Sequence, residues 1–303
     1  MSKYHFPALL PGQTIGVIAP AGPATAEALA CAPAVLEVMG YRVKMFPGCQ
    51  ARSGFLAGDD NCRLNDLHAA FIDPQVSAIL CLRGGYGSGR LLDSIDWALI
   101  EANAKPLIGY SDITALHAQL SNRGIPSFHG PMLTSDLVGE CDPLTRGALD
   151  VLRTGLPEGY CLEPELGRMP LRIGGQAHGK LVGGNLSLIA ALMGTPYALD
   201  VSGSILFLED VSEAPYRVDR LLLQLQLGGL LEQAKGFLLG GFTGSDEPAD
   251  EVLRDYLLPL SKPVLSGWPA GHCQPNTLLP LGVQVELDAD LGTVTLLEAA
   301  IAA

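Results

Sequence analysis

Short apolar runs alternate with longer amphipathic stretches through the first half of the chain. The short runs have the length and composition of buried strands, and the longer ones carry apolar residues at helical spacing. Strands that alternate with helices in this way are typical of an α/β fold, a parallel sheet with flanking helices. Predicted strands cover residues 14–20, 41–46, 77–82 and 106–109, and predicted helices cover 26–39, 59–72, 91–102 and 113–120.

The pattern changes beyond residue 140. A predicted helix at 145–153 is followed by a stretch rich in proline and glycine that has no clear period and is typical of a linker. We therefore predict a domain boundary near residue 165, with an N-terminal α/β domain over 1–165 and a C-terminal domain over 166–303.

The C-terminal half mixes strands and helices without strict alternation. This arrangement favours a smaller α+β domain with a barrel-like sheet. Predicted strands cover residues 204–208, 236–240, 263–266, 282–287 and 293–297, and predicted helices cover 185–193, 215–233 and 249–260.

Charge and composition narrow the functional classes. The chain has 32 acidic residues and 19 Lys and Arg residues. Its formal net charge of −13 argues against binding to nucleic acid or to an anionic membrane surface. No apolar run of about 18 residues is present that would span a bilayer, and the N-terminus lacks the apolar stretch of a signal peptide. The 7 cysteines are odd in number and never spaced as CxxC, which favours a reduced, cytoplasmic compartment.

A serine stands where a predicted strand passes directly into a helix, in Gly109-Tyr110-Ser111-Asp112-Ile113-Thr114. A sharp strand-to-helix turn is the setting of a nucleophile elbow, although Ile113 replaces the second glycine of G-x-S-x-G. The start of a helix also favours a developing oxyanion. The alternative interpretation is that Ser111 or Asp112 only caps the helix.

A glycine-rich loop, Arg83-Gly84-Gly85-Tyr86-Gly87-Ser88-Gly89-Arg90, also follows a strand. It lacks the Gly-Lys-Ser/Thr of a P-loop and the spacing of a dinucleotide motif. Its glycines would let a backbone N–H approach a reacting carbonyl, at the same carboxyl edge of the sheet as Ser111. A plain glycine turn is the alternative.

Acidic residues of the second half, and one histidine from each half, offer partners for a nucleophile. Glu209, Asp210 and Glu213 end an apolar strand, where a carboxylate can orient an imidazole or cap the following helix. His129 and His272 follow short apolar runs and are the better candidates for a general base. No cluster of His, Cys and carboxylates has metal spacing, so we predict no metal and no cofactor.

Seven segments, taken in order, resemble the serine L,D-carboxypeptidases of murein recycling and the related microcin C immunity peptidases. The resemblance implies a Ser–Glu–His triad carried by Ser111, Glu209 and His272, which meet between the two domains. The matching segments are Gly16–Gly22, Leu82–Gly87, Gly109–Ala115, His129–Met132, Gly183–Ser187, Leu208–Val211 and Gly271–His272.

The resemblance also implies a reaction and a substrate. Acyl transfer through the serine would use backbone N–H groups of Gly85 and Asp112 as the oxyanion hole. The implied substrate is a murein tetrapeptide that loses its terminal D-alanine, and its carboxylate requires a cation. Arg83 and Arg90 are the nearest cations in sequence, and Tyr86 lies on the same loop.

Two other functions stay open at this point. One is an immunity peptidase that cleaves aminoacyl or peptidyl nucleotides, and the other is a non-catalytic α/β protein that binds a small ligand. A nucleotide base would need an aromatic platform, and residues 133–180 contain no tryptophan, which favours the murein peptidase. The resemblance further implies a homodimer, for which the apolar helix at 221–231 is a candidate surface.

Overall fold

The computed structural model describes residues 4–163 and 171–302. Within them the strands are β1 (Thr14–Ile18), β2 (Arg42–Met45), β3 (Val76–Cys81), β4 (Leu107–Gly109), β5 (Ser127–His129), β6 (Cys161–Leu162), β7 (Arg172–Ile173), β8 (Gln176–Asn185), β9 (Ile205–Val211), β10 (Gly236–Thr243), β11 (Val264–Leu265), β12 (Leu279–Leu281), β13 (Gln284–Asp288) and β14 (Thr293–Leu296). The α-helices are α1 (Ala26–Val38), α2 (Asp60–Ile72), α3 (Trp97–Ala102), α4 (Thr114–Asn122), α5 (Pro143–Gly147), α6 (Asp150–Thr154), α7 (Leu186–Leu192), α8 (Pro215–Leu227), α9 (Leu230–Gln233) and α10 (Asp250–Leu257).

The first sheet has the strand order β12-β5-β4-β3-β1-β2. All its neighbouring strands run parallel except β12, which pairs antiparallel with β5. The central strands β3 and β4 are almost wholly buried, as expected for a parallel sheet covered on both faces. The carboxyl ends of β1, β3, β4 and β5 therefore meet at one edge, where α/β proteins place their sites.

The second sheet has the order β6-β14-β13-β8-β9-β10-β11-β7 and curls into a half-barrel. Its centre, from β8 to β11, is parallel, and its outer pairs are antiparallel. The fold class predicted from the sequence, a parallel α/β sheet with a second barrel-like sheet, is confirmed.

Several predicted elements are interrupted. The helix predicted at 91–102 is shortened to α3, because the Asp96 side chain accepts the Leu99 N–H at 3.0 Å and starts a new helix there. The helix predicted at 215–233 divides into α8 and α9 because Gly229 adopts a left-handed φ of +76°. The helix predicted at 145–153 is likewise two short helices, α5 and α6.

The predicted domain boundary at residue 165 lies outside the described residues. On the described side, β6 at 161–162 already pairs with β14 of the second sheet. In the other direction, β12 returns from the C-terminal half to the edge of the first sheet. The two halves of the sequence therefore exchange strands around the boundary.

A hydrogen bond also joins α4 to the second sheet close to Ser111. Thr114, the first residue of α4, is fully buried, and its Oγ1 accepts the N–H of Asn185 at 3.0 Å. Asn185 ends β8 and caps α7 through its side chain. The start of the helix that follows Ser111 is thus tied to the second sheet.

Among the helices of the described residues, none combines the length and the apolar character needed to cross a membrane.

Candidate active site

Ser111 lies in a sharp turn between β4 and α4. Its φ is +63°, in the left-handed region that residues other than glycine rarely occupy. A short 3-10 turn over Ser111–Ile113 runs directly into α4 and leaves Ser111 partly exposed. Strained backbone of this kind is concentrated at functional sites, and a tight strand-to-helix turn is the setting that a nucleophile elbow requires.

The glycine loop after β3 packs directly against this serine. A Cβ on Gly84 would lie 2.9 Å from the Ser111 Cβ and 3.0 Å from its Oγ, so only glycine fits at this position. Gly85 has a φ of +110°, and the Gly84 carbonyl accepts the N–H of Gly22 at 3.0 Å. The loop backbone can therefore approach a group attached to Ser111 with no side chain in between.

Asp112 joins the turn to the other end of the same loop. Its buried carboxylate accepts the N–H of Ser88 at 2.7 Å, and its carbonyl accepts the Ser88 hydroxyl at 2.5 Å. The backbone N–H of Asp112 lies at the start of the turn, where N–H groups have no partner within the helix. Both predicted oxyanion donors, Gly85 and Asp112, thus belong to segments that flank Ser111.

Glu209 and His272 form a buried pair in the C-terminal half. The Nδ1–H of His272 donates to Glu209 Oε2 at 2.7 Å, and the backbone N–H of His272 donates to the same oxygen at 3.1 Å. Gly271 permits this approach: its φ is +98°, and a Cβ there would lie 2.6 Å from the Glu209 carboxylate. The bond at Nδ1 leaves Nε2 of the ring as the proton acceptor.

The carboxylate of Glu209 is fully buried and yet held in its charged form. Burial alone raises its pKa, but the imidazoles of His129 and His272 outweigh burial and hold the pKa of Glu209 at about 2. Because His129 Nε2 lies 3.8 Å from Oε1, beyond hydrogen-bond length, we take the 2.7 Å bond to His272 as the main contact.

Glu209 in turn changes the basicity of His272. Burial lowers the pKa of His272, but the hydrogen bond and the charge of Glu209 outweigh it and raise that pKa above its ordinary value of 6.5. An imidazole whose pKa is raised by a neighbouring carboxylate is a stronger proton acceptor, which suits general-base catalysis.

Tyr110 connects the serine turn to this pair. Its ring meets the His272 ring edge-on, with 4.8 Å between centroids, and its hydroxyl donates to Asp136 at 3.0 Å. Ser111 and His272 therefore share one neighbourhood, although no hydrogen bond joins them within the described residues. Catalytic hydrogen bonds are often long without substrate and shorten in the complex.

The other candidates from the sequence occupy different positions. Asp210 accepts hydrogen bonds from Asn185 at 2.9 Å and from the Ser187 hydroxyl at 2.8 Å, and Glu213 pairs with Arg217 at 3.7 Å. His129 is fully buried beside Phe207, so it cannot reach a substrate. Of the three acids and two histidines, only Glu209 and His272 are joined by a hydrogen bond.

Comparison with known proteins identifies the family. A model described as the LD-carboxypeptidase N-terminal domain matches residues 15–130, and one described as the LD-carboxypeptidase C-terminal domain matches residues 178–287. The chain is 40% identical over 295 residues to a Bacillus subtilis (strain 168) protein named as a probable murein peptide carboxypeptidase. The matched region covers 94% of this chain and 92% of that protein. This chain belongs to the LD-carboxypeptidase family. The predicted resemblance is confirmed.

Solved structures agree with this assignment to the LD-carboxypeptidase family. A muramoyltetrapeptide carboxypeptidase from Oxalobacter formigenes is 33% identical, with a TM-score of 0.82 over 94% of this chain and 98% of that one. The structure of the microcin immunity protein MccF in complex with glutamyl sulfamoyl guanosine is 25% identical, with a TM-score of 0.90 over 98% of this chain and 99% of that one. The predicted enzyme class, a serine-type carboxypeptidase, follows from the family.

The three predicted substrate residues of this LD-carboxypeptidase differ in their surroundings. Arg90 donates three hydrogen bonds to Asp60, two from Nε at 2.9 and 3.1 Å and one from Nη2 at 2.7 Å. Arg83 instead donates from Nη1 to the Pro23 carbonyl at 3.0 Å. Tyr86 is exposed and meets the Phe55 ring edge-on at 5.7 Å.

Sequence reasoning did not single out Arg52 and Phe55, which lie on the same side of the glycine loop as Arg83. No local motif marks them, since they come from the segment before α2 and only the fold brings them to the loop. Within residues 4–163 and 171–302, no group of three His, Cys, Asp or Glu side chains could hold a metal ion.

Proposed function

We propose that this protein is a serine L,D-carboxypeptidase that removes the terminal D-alanine from murein tetrapeptides in the cytoplasm. The observation that carries the proposal is the 2.7 Å pair of Glu209 and His272 beside the strained turn of Ser111, in a chain of the LD-carboxypeptidase family. In this proposal Ser111 is the nucleophile, His272 the general base and Glu209 the group that orients it.

The proposed mechanism is acyl transfer in two steps. His272 Nε2 takes the proton of the Ser111 hydroxyl as Oγ attacks the amide carbonyl, and the N–H groups of Gly85 and Asp112 stabilise the oxyanion. The C–N bond then breaks, and His272 gives its proton to the departing D-alanine amine. Water, deprotonated by the same imidazole, hydrolyses the acyl-serine and releases the tripeptide.

Sequence identity supports a murein peptide over a nucleotide substrate. The relative named for murein peptides is 40% identical, whereas the structure that holds glutamyl sulfamoyl guanosine is 25% identical. The tryptophans also offer no free platform for a base: Trp268 is 2% exposed, and the Trp97 ring is covered by the Arg123 guanidinium at 4.1 Å.

Replacement of the nucleophile tests the enzyme activity directly. We expect Ser111→Ala to lower kcat on a murein tetrapeptide by about 10⁴-fold or more, because no other group supplies the attacking oxygen. Mass spectrometry of the products should show the tripeptide and free D-alanine with the wild type alone. Turnover by Ser111→Ala at the wild-type rate would refute the proposal and favour a non-catalytic binding protein.

The same assay separates the two peptidase functions. We expect the wild type to hydrolyse the tetrapeptide with a higher kcat/KM than an aminoacyl sulfamoyl adenosine. A preference for the nucleotide would assign the protein to the immunity peptidases instead.

We also propose a homodimer, which the family resemblance implies. Exposed apolar side chains on α8 support this surface, with Leu223 40% and Leu227 80% exposed. Light scattering at micromolar concentration should give twice the chain mass of 31.8 kDa, and Leu227→Asp should shift it towards the monomer.

A further inference from the structure

A cavity of about 650 Å³ opens on the outer side of the glycine loop. Two guanidinium groups, of Arg52 and Arg83, line it together with two exposed aromatic rings. We call it the arginine cavity; its lining residues are Gly22, Pro23, Arg52, Phe55, Arg83, Gly85 and Tyr86.

The two arginines of the cavity have no acidic partner within the described residues. The chain has a net charge of −13, and acidic side chains outnumber basic ones, yet none of the described acids is paired with either arginine. Nearby, Arg63 and Arg90 are both paired with Asp60. Unpaired guanidinium groups that share one cavity favour an anionic ligand, and a carboxylate fits their planar donors.

The hydrogen bonds that Arg52 and Arg83 do make are to backbone carbonyls. Arg83 Nη1 donates to Pro23 at 3.0 Å, and Arg52 Nε donates to Gly54 at 3.4 Å. A guanidinium has five N–H donors, so most of the donors of each arginine are left for a ligand. The contact to Pro23 also holds the Arg83 head at the cavity before any ligand arrives.

The arginine cavity lies within reach of the proposed reaction centre. Gly84 contacts Ser111, and Gly85, the next residue, lines the cavity. Arg83 Nη2 lies 4.0 Å from the position of a Cβ on Gly85. In a carboxypeptidase substrate the terminal carboxylate is three bonds from the scissile carbonyl carbon, a separation of about 4 Å at most. A carbonyl at Ser111 therefore brings that carboxylate to the loop that carries Arg83.

We propose that the arginine cavity binds the C-terminal carboxylate of the peptide and so restricts the enzyme to the last residue of its substrate. This inference rests on the proposed function and names the group by which the substrate is recognised. The cavity is far larger than an alanine side chain, so recognition is by charge and tolerates other small leaving residues.

A matched pair of substrates tests this inference. We expect the wild type to cleave a tetrapeptide with a free C-terminus about 10- to 100-fold better in kcat/KM than the same peptide with a C-terminal amide, because the amide lacks the charge-assisted bonds. Arg83→Met should lower kcat/KM for the free acid by a similar factor and leave the amide nearly unchanged. Arg83→Lys should restore part of the preference, and Arg52→Met should reduce it.

Arg42→Met provides the control, because it removes the same charge from an exposed position on β2, outside the arginine cavity. It should keep the full preference for the free acid. Thermal melts of all variants check that each is folded, and Arg52→Met, at an exposed position, tests the cavity if Arg83→Met is unstable.

The outcomes distinguish this inference from the proposed function. If the wild type cleaves acid and amide equally, or if Arg83→Met and Arg52→Met each lower both substrates by the same factor, the arginine cavity does not bind the carboxylate, while the peptidase function stands. If Ser111→Ala retains activity, the proposed function itself fails. A preference of 10-fold or more that disappears in Arg83→Met and persists in Arg42→Met supports the inference.

Discussion

At the scale of single residues, one carboxylate controls the proton acceptor. Glu209 raises the pKa of His272 above 6.5 against the opposing effect of burial, and His272 must be neutral to accept a proton. Activity of the wild type should therefore fall as the pH falls through a value above 6.5. Glu209→Gln removes the charge but keeps the burial, so the acid limb of kcat/KM against pH should move to a lower pH.

The same substitution should also lower kcat by about 10³- to 10⁴-fold, because the amide no longer holds the ring in the required tautomer. The profile is measured on the tetrapeptide between about pH 5 and 9, where a histidine titrates. Asp210→Asn is the comparison: Asp210 bonds to Asn185 and Ser187, and its charge raises the pKa of His272 less than Glu209 does, so the acid limb should move less than in Glu209→Gln. An acid limb that stays in place in Glu209→Gln would show that another group governs it.

Some site residues could be predicted from the local sequence pattern, whereas others could not be distinguished from chemically similar neighbours. The turn at Ser111 follows from an apolar strand that runs directly into a helix, and the structure has that turn. Glu209 and Asp210 are adjacent and chemically alike, so spacing could not choose between them, and the family resemblance was needed. Arg90 has an acidic partner, Asp60, 30 residues earlier in the chain, a pairing that only the fold creates.

At the scale of elements, the position of Ser111 depends on the contact between α4 and β8. Thr114→Val keeps the side-chain shape but leaves the buried N–H of Asn185 without its acceptor, which should lower the free energy of unfolding by about 1–3 kcal/mol. Thr114→Ser keeps the hydroxyl and should cost less. Urea denaturation measures both, and equal losses in the two variants would show that packing, rather than the hydrogen bond, joins these elements.

Elements with a strong hydrophobic pattern were predicted closely, and those without one were missed. β3 and β9 each contain a run of four apolar residues and lie within a few residues of their predicted positions. β8 was missed because its sequence, QAHGKLVGGN, begins with mostly polar residues and has two glycines before its final asparagine. β5 and β12 are three residues each, too short for a periodic signal, and β12 pairs with a strand about 150 residues away in sequence.

At the scale of the whole molecule, each predicted domain, 1–165 and 166–303, contributes a strand to the sheet of the other. This exchange affects whether one domain can fold without the other. β12 covers the edge of β5, and the N-terminal segment is tied to the C-terminus by the Ala302 N–H, which donates to the Phe6 carbonyl at 2.8 Å. Leu279, Leu281 and Ile301 are all buried. A fragment of residues 1–165 lacks all these contacts and would leave β5 as an open edge.

We expect that fragment to lack a cooperative thermal transition. Burial of one large apolar side chain contributes about 1.5–3 kcal/mol to the free energy of unfolding. The loss of three such burials, of Leu279, Leu281 and Ile301, therefore approaches the whole free energy of unfolding of a typical domain, about 5–15 kcal/mol. Circular dichroism of the fragment and of the full chain during heating makes the comparison. A sharp transition in the fragment alone would show that the first sheet folds without β12. Its absence would mean that Ser111 acquires its strained turn only when the half of the chain that carries Glu209 and His272 has folded with it.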